Sequence, residues 1–413
     1  MSAAPTRPPI SQALVGGALV CATAVLCFRS GGFFHDPRTG MAIAAWVGVA
    51  VVAVLPAGPS LVPPAQVGRV ALAGLLALAA WTALSLLWAP LLGSAREDAL
   101  RLALYAAVLP LSVFAFRGRA LVRALEVALA GLAAVVVGYG LLGDLGAIDV
   151  KASAGSDGRL DQPLTYWNAM GALAAFGLVL CVRIAADRTR PSTLRLASGI
   201  AAVPTAGALY LTYSRGALAA AALGLVVLAL VIPEARPAWE RAGHRWRVAA
   251  GWGAALAIAA ALVFVAADRA APPHRGATAE RLADLGSNRA DYWRVAARAF
   301  ADAPPIGVGT AGFRVEWLRE RDVREGASDA HSLYLETAAE LGLVGLLALA
   351  AFVAATAVSA VRLTRRDPAL VAGPCAALAM LAVHAGIDWD WELPALALPA
   401  LMLAGAVIGD DRS

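Results

Sequence analysis

Apolar residues recur along this chain in blocks of about twenty, the length a helix needs to cross a bilayer. The blocks lie near 10–28, 41–58, 69–89, 99–116, 120–142, 164–186, 194–213, 216–233, 248–267, 331–361, 369–387 and 394–409. They predict an all-α polytopic membrane protein of about twelve transmembrane helices. The fourth, eighth and twelfth blocks are short, and the tenth is long enough to begin outside the bilayer. The first block follows Arg7. It reads as a retained helix, because more spans follow and no cleavage site is evident.

One polar stretch, 268–330, interrupts this pattern and divides the chain into helices one to nine (1–267), a helical loop (268–330) and helices ten to twelve (331–413). Within the loop, Asn288 followed by Asp291 resembles a helix cap. Ala290, Trp293, Ala297 and Phe300 then recur with the spacing of one amphipathic face. Pro304 and Pro305 stop that helix, Gly307, Gly309 and Gly312 make a turn, and a charged helix follows from Phe313 to Arg324. The arginines orient the whole. With the N-terminus in the cytoplasm, seventeen of the 34 basic residues fall in short inside segments and seven in short outside ones; the remaining ten lie in the long loop. Both termini are therefore expected inside and the loop outside.

Composition agrees with this reading. The chain has 413 residues, of which 60% are hydrophobic and 15% charged, against about 25% charged in a soluble domain. That excludes an ordinary cytosolic enzyme, a disordered chain and a disulfide scaffold. The net charge of +5 comes from scattered arginines, with Lys151 the single lysine. They form no stripe, so no nucleic-acid partner is expected. Cys21, Cys27, Cys181 and Cys375 lie in apolar runs without metal-ligand spacing and read as small hydrophobes.

Five places could carry chemistry. His331 stands before the tenth block in Ser328-Asp329-Ala330-His331-Ser332. With Asp329 as N-cap it falls in a first helical turn, where the positive helix end keeps the ring neutral and able to take a proton; it also reads as an interfacial histidine without chemistry. Arg215, in Tyr213-Ser214-Arg215-Gly216, sits at a membrane edge where a guanidinium suits a phosphate, or simply flanks a span. Arg289 beside the loop-helix cap could share a diphosphate with Arg215, or be a surface charge. Arg294 and Arg298 read as the solvated face of that helix. Arg159 and Asn168 bracket an outer loop whose Tyr166 and Trp167 fit an interfacial aromatic belt; a buried Asn168 commonly bonds a neighbouring helix. Last, His384 and Asp388 are spaced i, i+4 before Asp390 and Glu392. They read as a structural His–Asp pair with a solvated acidic loop, or more weakly as a divalent-cation site. There is no Rossmann glycine pattern, no phosphate-binding loop and no HExxH.

Taken in order, RLDQPLTYWNAMG from Arg159, LTYSRGA from Leu211, NRADYWRVAARAFADAPPIGVGTAGF from Asn288 and DAHSLYLETAAELGLVG from Asp329 resemble the O-antigen ligase/polymerase superfamily. The resemblance covers about residues 155–395, and HAGIDWDWELP near the end is similar to actinobacterial-type members. It implies a GT-C-type glycosyltransferase fold in the cytoplasmic (inner) membrane. The implied reaction transfers a glycan from an undecaprenyl-diphosphate carrier to a glycan, lipid or protein acceptor on the outer face. No cofactor and no metal are implied. By position, His331 would be the base and Arg215 and Arg289 the diphosphate ligands. Arg159 is a further diphosphate candidate, and Asn168, Glu336 and Asp388 are candidate supporting residues. Ser332 stands where many members have asparagine, which leaves the hydrogen bond beside the base open. The rival reading is a polytopic transporter or lipid-linked glycan flippase. The long loop after the ninth span, on the outer side, and the absence of a Gly/Asp/Arg-rich motif in 58–68 argue against it.

Overall fold

The computed structural model describes residues 10–54, 60–232 and 288–411. These form thirteen α-helices and two short 3-10 turns, with no strand among the described residues. The helices are α1 (Ile10–Cys27), α2 (His35–Val54), α3 (Gln66–Ser85), α4 (Leu92–Ala115), α5 (Arg119–Asp144), α6 (Trp167–Ala186), α7 (Ser192–Leu211) and α8 (Arg215–Val231), followed by α9 (Arg289–Asp302), α10 (Phe313–Glu320), α11 (Leu333–Arg366), α12 (Pro368–His384) and α13 (Pro394–Asp410). Eight are long and apolar enough to cross a membrane, and α8, α12 and α13 are shorter apolar helices. The span expected at 248–267 and the first part of the long loop, 268–287, lie outside the described residues.

The centre is built from α4, α6 and α13, which bury most of their residues. Around them, α1, α2, α3 and α7 keep one side exposed, as helices do whose outer face meets lipid rather than water. The fourth helix begins seven residues earlier than its apolar block and holds Arg96, Glu97, Asp98 and Arg101. The reason is pairing. Arg101 is only 5% exposed and binds Asp98 at 2.9 Å and Glu392, so its charge is met inside the protein.

Charge gathers at two ends, which α4 connects. Near its start are the pairs Arg101–Glu392, Arg38–Glu97 and Arg289–Asp388. Just past its end, the N–H of Gly118 donates to Asp410 and Arg119 pairs with Asp367. Beside them Arg190 joins Glu126 and Asp187, and Asp187 also meets Arg123 and Arg183.

The long tenth element is not one continuous helix. α11 breaks at Gly342, with φ 63° and ψ −160°, a backbone region essentially reserved for glycine. A Cβ there would lie 2.6 Å from the backbone of Pro305, Ile306 and Gly307. The break admits residues 304–309 as a strap. Val308 N–H donates to Ala339 and Gly309 N–H to Glu340, while Leu343 N–H donates back to Pro304.

Outside the break, α9, α10 and the first turns of α11 bury a separate small core of Tyr292, Val295, Ala296, Ala299, Phe313, Trp317 and Ala339. Three expectations need correction here. The buried face of α9 is Tyr292, Val295, Ala296 and Ala299, while Ala297 is exposed, because the helix packs on Trp317 rather than on a membrane surface. Asn288 is the N-cap residue but makes no side-chain cap bond; its amide reaches Glu325 instead. The charged helix ends at Glu320, four residues short of Arg324.

Candidate functional site

The site lies where the small outer core meets the turn between α12 and α13. His331 is not in a helical turn. α11 starts two residues later, its N-cap is Ser332, and Ser332 Oγ accepts from Leu335 N–H at 3.5 Å. His331 itself has φ 53°, a strained backbone for a residue with a side chain. The helix end therefore does not set its ionisation. Burial does: it pulls the imidazole below its usual value, with Asp388 pulling the other way. The ring stacks on Tyr292, centroids 5.0 Å apart, and meets Trp389 edge-on at 6.4 Å. Nδ1 lies 3.1 Å from the carbonyl of Asp329. A carbonyl only accepts, so Nδ1 carries the proton and Nε2 keeps the lone pair that a base requires.

Asp388 organises the other half. It accepts from Arg289 at 2.7 Å, from the Tyr166 hydroxyl at 2.8 Å and from the N–H of Trp389 at 3.0 Å. Burial pushes its pKa up, but Arg289, His331 and the Tyr166 hydroxyl outweigh that and hold the carboxyl below the usual range. Asn168 donates to the Tyr166 hydroxyl at 2.7 Å. Its partner is therefore a phenol two residues back, not a distant helix. The chain Asn168–Tyr166–Asp388–Arg289 runs from α6 to α9 through the 385–393 turn and fixes where the guanidinium sits.

The acidic run Asp388, Asp390 and Glu392 is buried, not solvated. α12 ends at His384, so Asp388 is not on its face, and the histidine pairs with Asp390. Glu392 goes to Arg101. Each acid is buried because a cation or a set of donors meets it.

Glu336 belongs to a neighbouring cluster. It accepts from Ala330 N–H at 2.7 Å, and its carboxylate, Asp329 and Glu392 all offer oxygens within 4.8 Å of one another. These are the described residues that could give oxygen ligands to a hard cation, though Arg101 already occupies Glu392. Burial, reinforced by Asp98, pushes the Asp329 carboxyl up to about 7. The cluster thus carries protons at neutral pH, on the segment whose carbonyl holds His331.

Arg215 opens α8, capped by Ser214, whose Oγ accepts from Ala217 N–H at 3.3 Å. The next residue, Gly216, faces Ile387 and His384, so this helix start adjoins the turn that bears Asp388. Arg159 is one ring further out. Its guanidinium lies 3.5 Å over Trp167, the neighbour of Tyr166, and donates to the carbonyls of Ser156 and Gly155. Arg294 pairs with Asp291 and Asp322, and Arg298 with Glu320, as a solvated face should. Sequence reasoning missed Tyr166, Tyr292 and Trp389 as parts of the site. Tyr166 was visible only as an interfacial aromatic.

Residues 200–350 match the family model described as O-antigen ligase (Wzy_C). The match supports the superfamily the chain's motifs resemble, and it includes Arg215, Arg289, His331 and Glu336. No curated protein matches the chain.

Proposed function

We propose that this chain, with its O-antigen ligase domain over residues 200–350, is a membrane glycosyltransferase. It moves a glycan from an undecaprenyl-diphosphate carrier to an acceptor hydroxyl on the outer face of the cytoplasmic membrane. The reading includes twelve crossings in a GT-C-type arrangement, with 248–267 as the ninth, both termini inside and the 268–330 loop outside. It needs no metal. The two activities of the superfamily differ only in the acceptor, and the reading takes a polysaccharide polymerase or a broad O-antigen ligase family member.

One observation carries it. His331, inside the matched domain, has Nδ1 committed to a carbonyl and Nε2 left as an acceptor, beside the Asp388–Arg289 pair. That is the state of a general base next to a guanidinium. The acceptor hydroxyl gives its proton to Nε2 as its oxygen bonds to the anomeric carbon. The bond from that carbon to the carrier oxygen breaks, and its electron pair leaves with the diphosphate. Attack from the opposite side inverts the configuration. Arg215 and Arg289 neutralise the charge that grows on the leaving group. A guanidinium has five N–H donors, so Arg289 can keep Asp388 and still fork a phosphate.

The test is reconstitution. The purified full chain in proteoliposomes is given a lipid-linked repeat unit alone, then with a lipid A core acceptor. Growing lipid-linked polymer without the second acceptor supports a polymerase. Transfer only with it means a ligase, and no transfer in either case, with the carrier moved across the bilayer, means a flippase.

A further inference from the structure

His384 plays no part in the reaction just described, yet it is built as if for a ligand. It is fully buried. Asp390 takes its Nδ1 side, and Nε2 has no hydrogen-bond partner among the described residues. A buried nitrogen left unmet loses its hydration without replacement, so native structures rarely keep one without a use. Its surroundings show what it faces. The position a Cβ would take on Gly216 is 3.5 Å from Nε2, which puts the nitrogen against the first turn of α8. This helix has seventeen residues, and its Ser214 cap takes the amide of Ala217. The N-terminus of such a helix attracts anions, and Arg215 is its first residue.

We propose that His384, held by Asp390, is a binding residue for the donor's diphosphate, donating from Nε2 to a phosphate oxygen at the N-terminus of α8 beside Arg215. This rests on the glycosyltransferase reading above and adds a third contact to it. Gly216 is required because a side chain there would fill the approach. Ile387, half-buried, has its Cδ1 2.9 Å from that same Cβ position, so a turn of its flexible side chain uncovers the nitrogen. With Nδ1–H on Asp390, the neutral ring offers Nε2 only as an acceptor. It donates there after taking one proton from solvent, which it returns when the diphosphate leaves. Donor binding is then linked to proton uptake. The charged groups acting on the ring are Asp390 and Asp388 from the turn and Arg289 from α9, and Arg215 opens the helix it faces. Binding of the anion adds the charge that favours the imidazolium.

The experiment measures binding of an undecaprenyl-diphospho-sugar to the full chain in nanodiscs between pH 6 and pH 8. This probe is a diphosphate diester and does not itself titrate there. Wild type should bind more weakly as pH rises, by at most about tenfold per unit for one linked proton. His384→Gln keeps an uncharged donor of similar reach and should lose His384's share of that slope. His384→Phe should bind roughly ten- to a hundredfold more weakly at pH 6, as expected for a lost charge-assisted hydrogen bond. His384→Gln with the wild-type affinity and slope overturns the proposal while leaving the glycosyltransferase reading intact. Failure of wild type to bind the diester at any pH overturns both. If His384→Phe does not fold, the slope of His384→Gln decides.

Discussion

Replacing Gly342 with alanine should detach the outer unit from the helix that anchors it. The added methyl meets backbone on three sides, at 2.6 Å from Pro305, Ile306 and Gly307, and no flexible side chain can move aside. A positive φ alone costs a non-glycine residue about 1–2 kcal/mol. Relieving the clash means lifting the strap, and with it the bonds Val308–Ala339, Gly309–Glu340, Leu343–Pro304 and Val344–Pro305. At about 1 kcal/mol each, the total reaches about 5–6 kcal/mol. Glu340 is also exposed to the change, because it accepts the amides of Ala311 at 2.9 Å and Phe313 at 3.0 Å and so holds the start of α10. The assay is trypsin cleavage in the arginine-rich 289–324 stretch of the purified protein, followed beside thermal unfolding. Gly342→Ala should be cut there much faster than wild type and melt earlier. Gly138→Ala is the control. Its site in α5 has open space, and its effect should stay within about 1 kcal/mol, in the stabilising direction. Wild-type cleavage and melting of Gly342→Ala would refute the strap.

Three more predictions follow from the site. Because burial lowers the His331 value from 6.5 and the neutral ring is the base, kcat at saturating donor should be retained above that lowered value and lost as pH falls through it, so its acid limb lies below pH 6.5. Asp388→Asn removes the carboxylate that raises it and should move the limb to still lower pH; a limb that stays or rises would contradict the assignment. Tyr166→Phe removes a hydrogen bond to a charged group, about 1.5–3 kcal/mol, and should lower kcat/KM roughly ten- to a hundredfold, with Asn168→Ala affecting the same step less; additive effects in the double variant would mean the two are not one chain. The Asp329 carboxyl is raised from 3.8 to about 7 in the folded state, so its contribution to stability is present below 3.8 and fades as pH rises through 7. Melting temperature should therefore fall across that window in wild type and fall less in Asp329→Asn.

Much of this architecture was legible because a bilayer imposes one simple length rule. Eleven apolar helices appear where apolar blocks stand, and the exposed faces of α1, α2 and α7 are as apolar as their sequences. Arg289 and His331 stand out in the sequence through their motif, and the structure brings both beside Asp388. What escaped is what depends on distant partners. Nothing near Asp388 in the chain shows that it holds Arg289, 99 residues away, or that Tyr166, 222 residues away, steadies it. The charged start of α4 looked too polar for a helix packed inside, because its partner Glu392 lies far along the chain. Leu341-Gly342-Leu343 reads as uninterrupted helix, since the break is made by a strap from another segment. Asp329 is a good cap by residue type and puts His331 in a helix end, yet Ser332 takes that place and Asp329 turns to a half-buried acidic cluster.

The central claim is that His331 is the base of a glycan transfer. The most direct measurement restores a gene deletion with wild type or with His331→Ala, both shown to reach the membrane equally, and sizes the surface polysaccharide and the lipid-linked pool. The account predicts polymer with wild type only, and single lipid-linked repeats accumulating with His331→Ala. Full polymer restored by His331→Ala would contradict it.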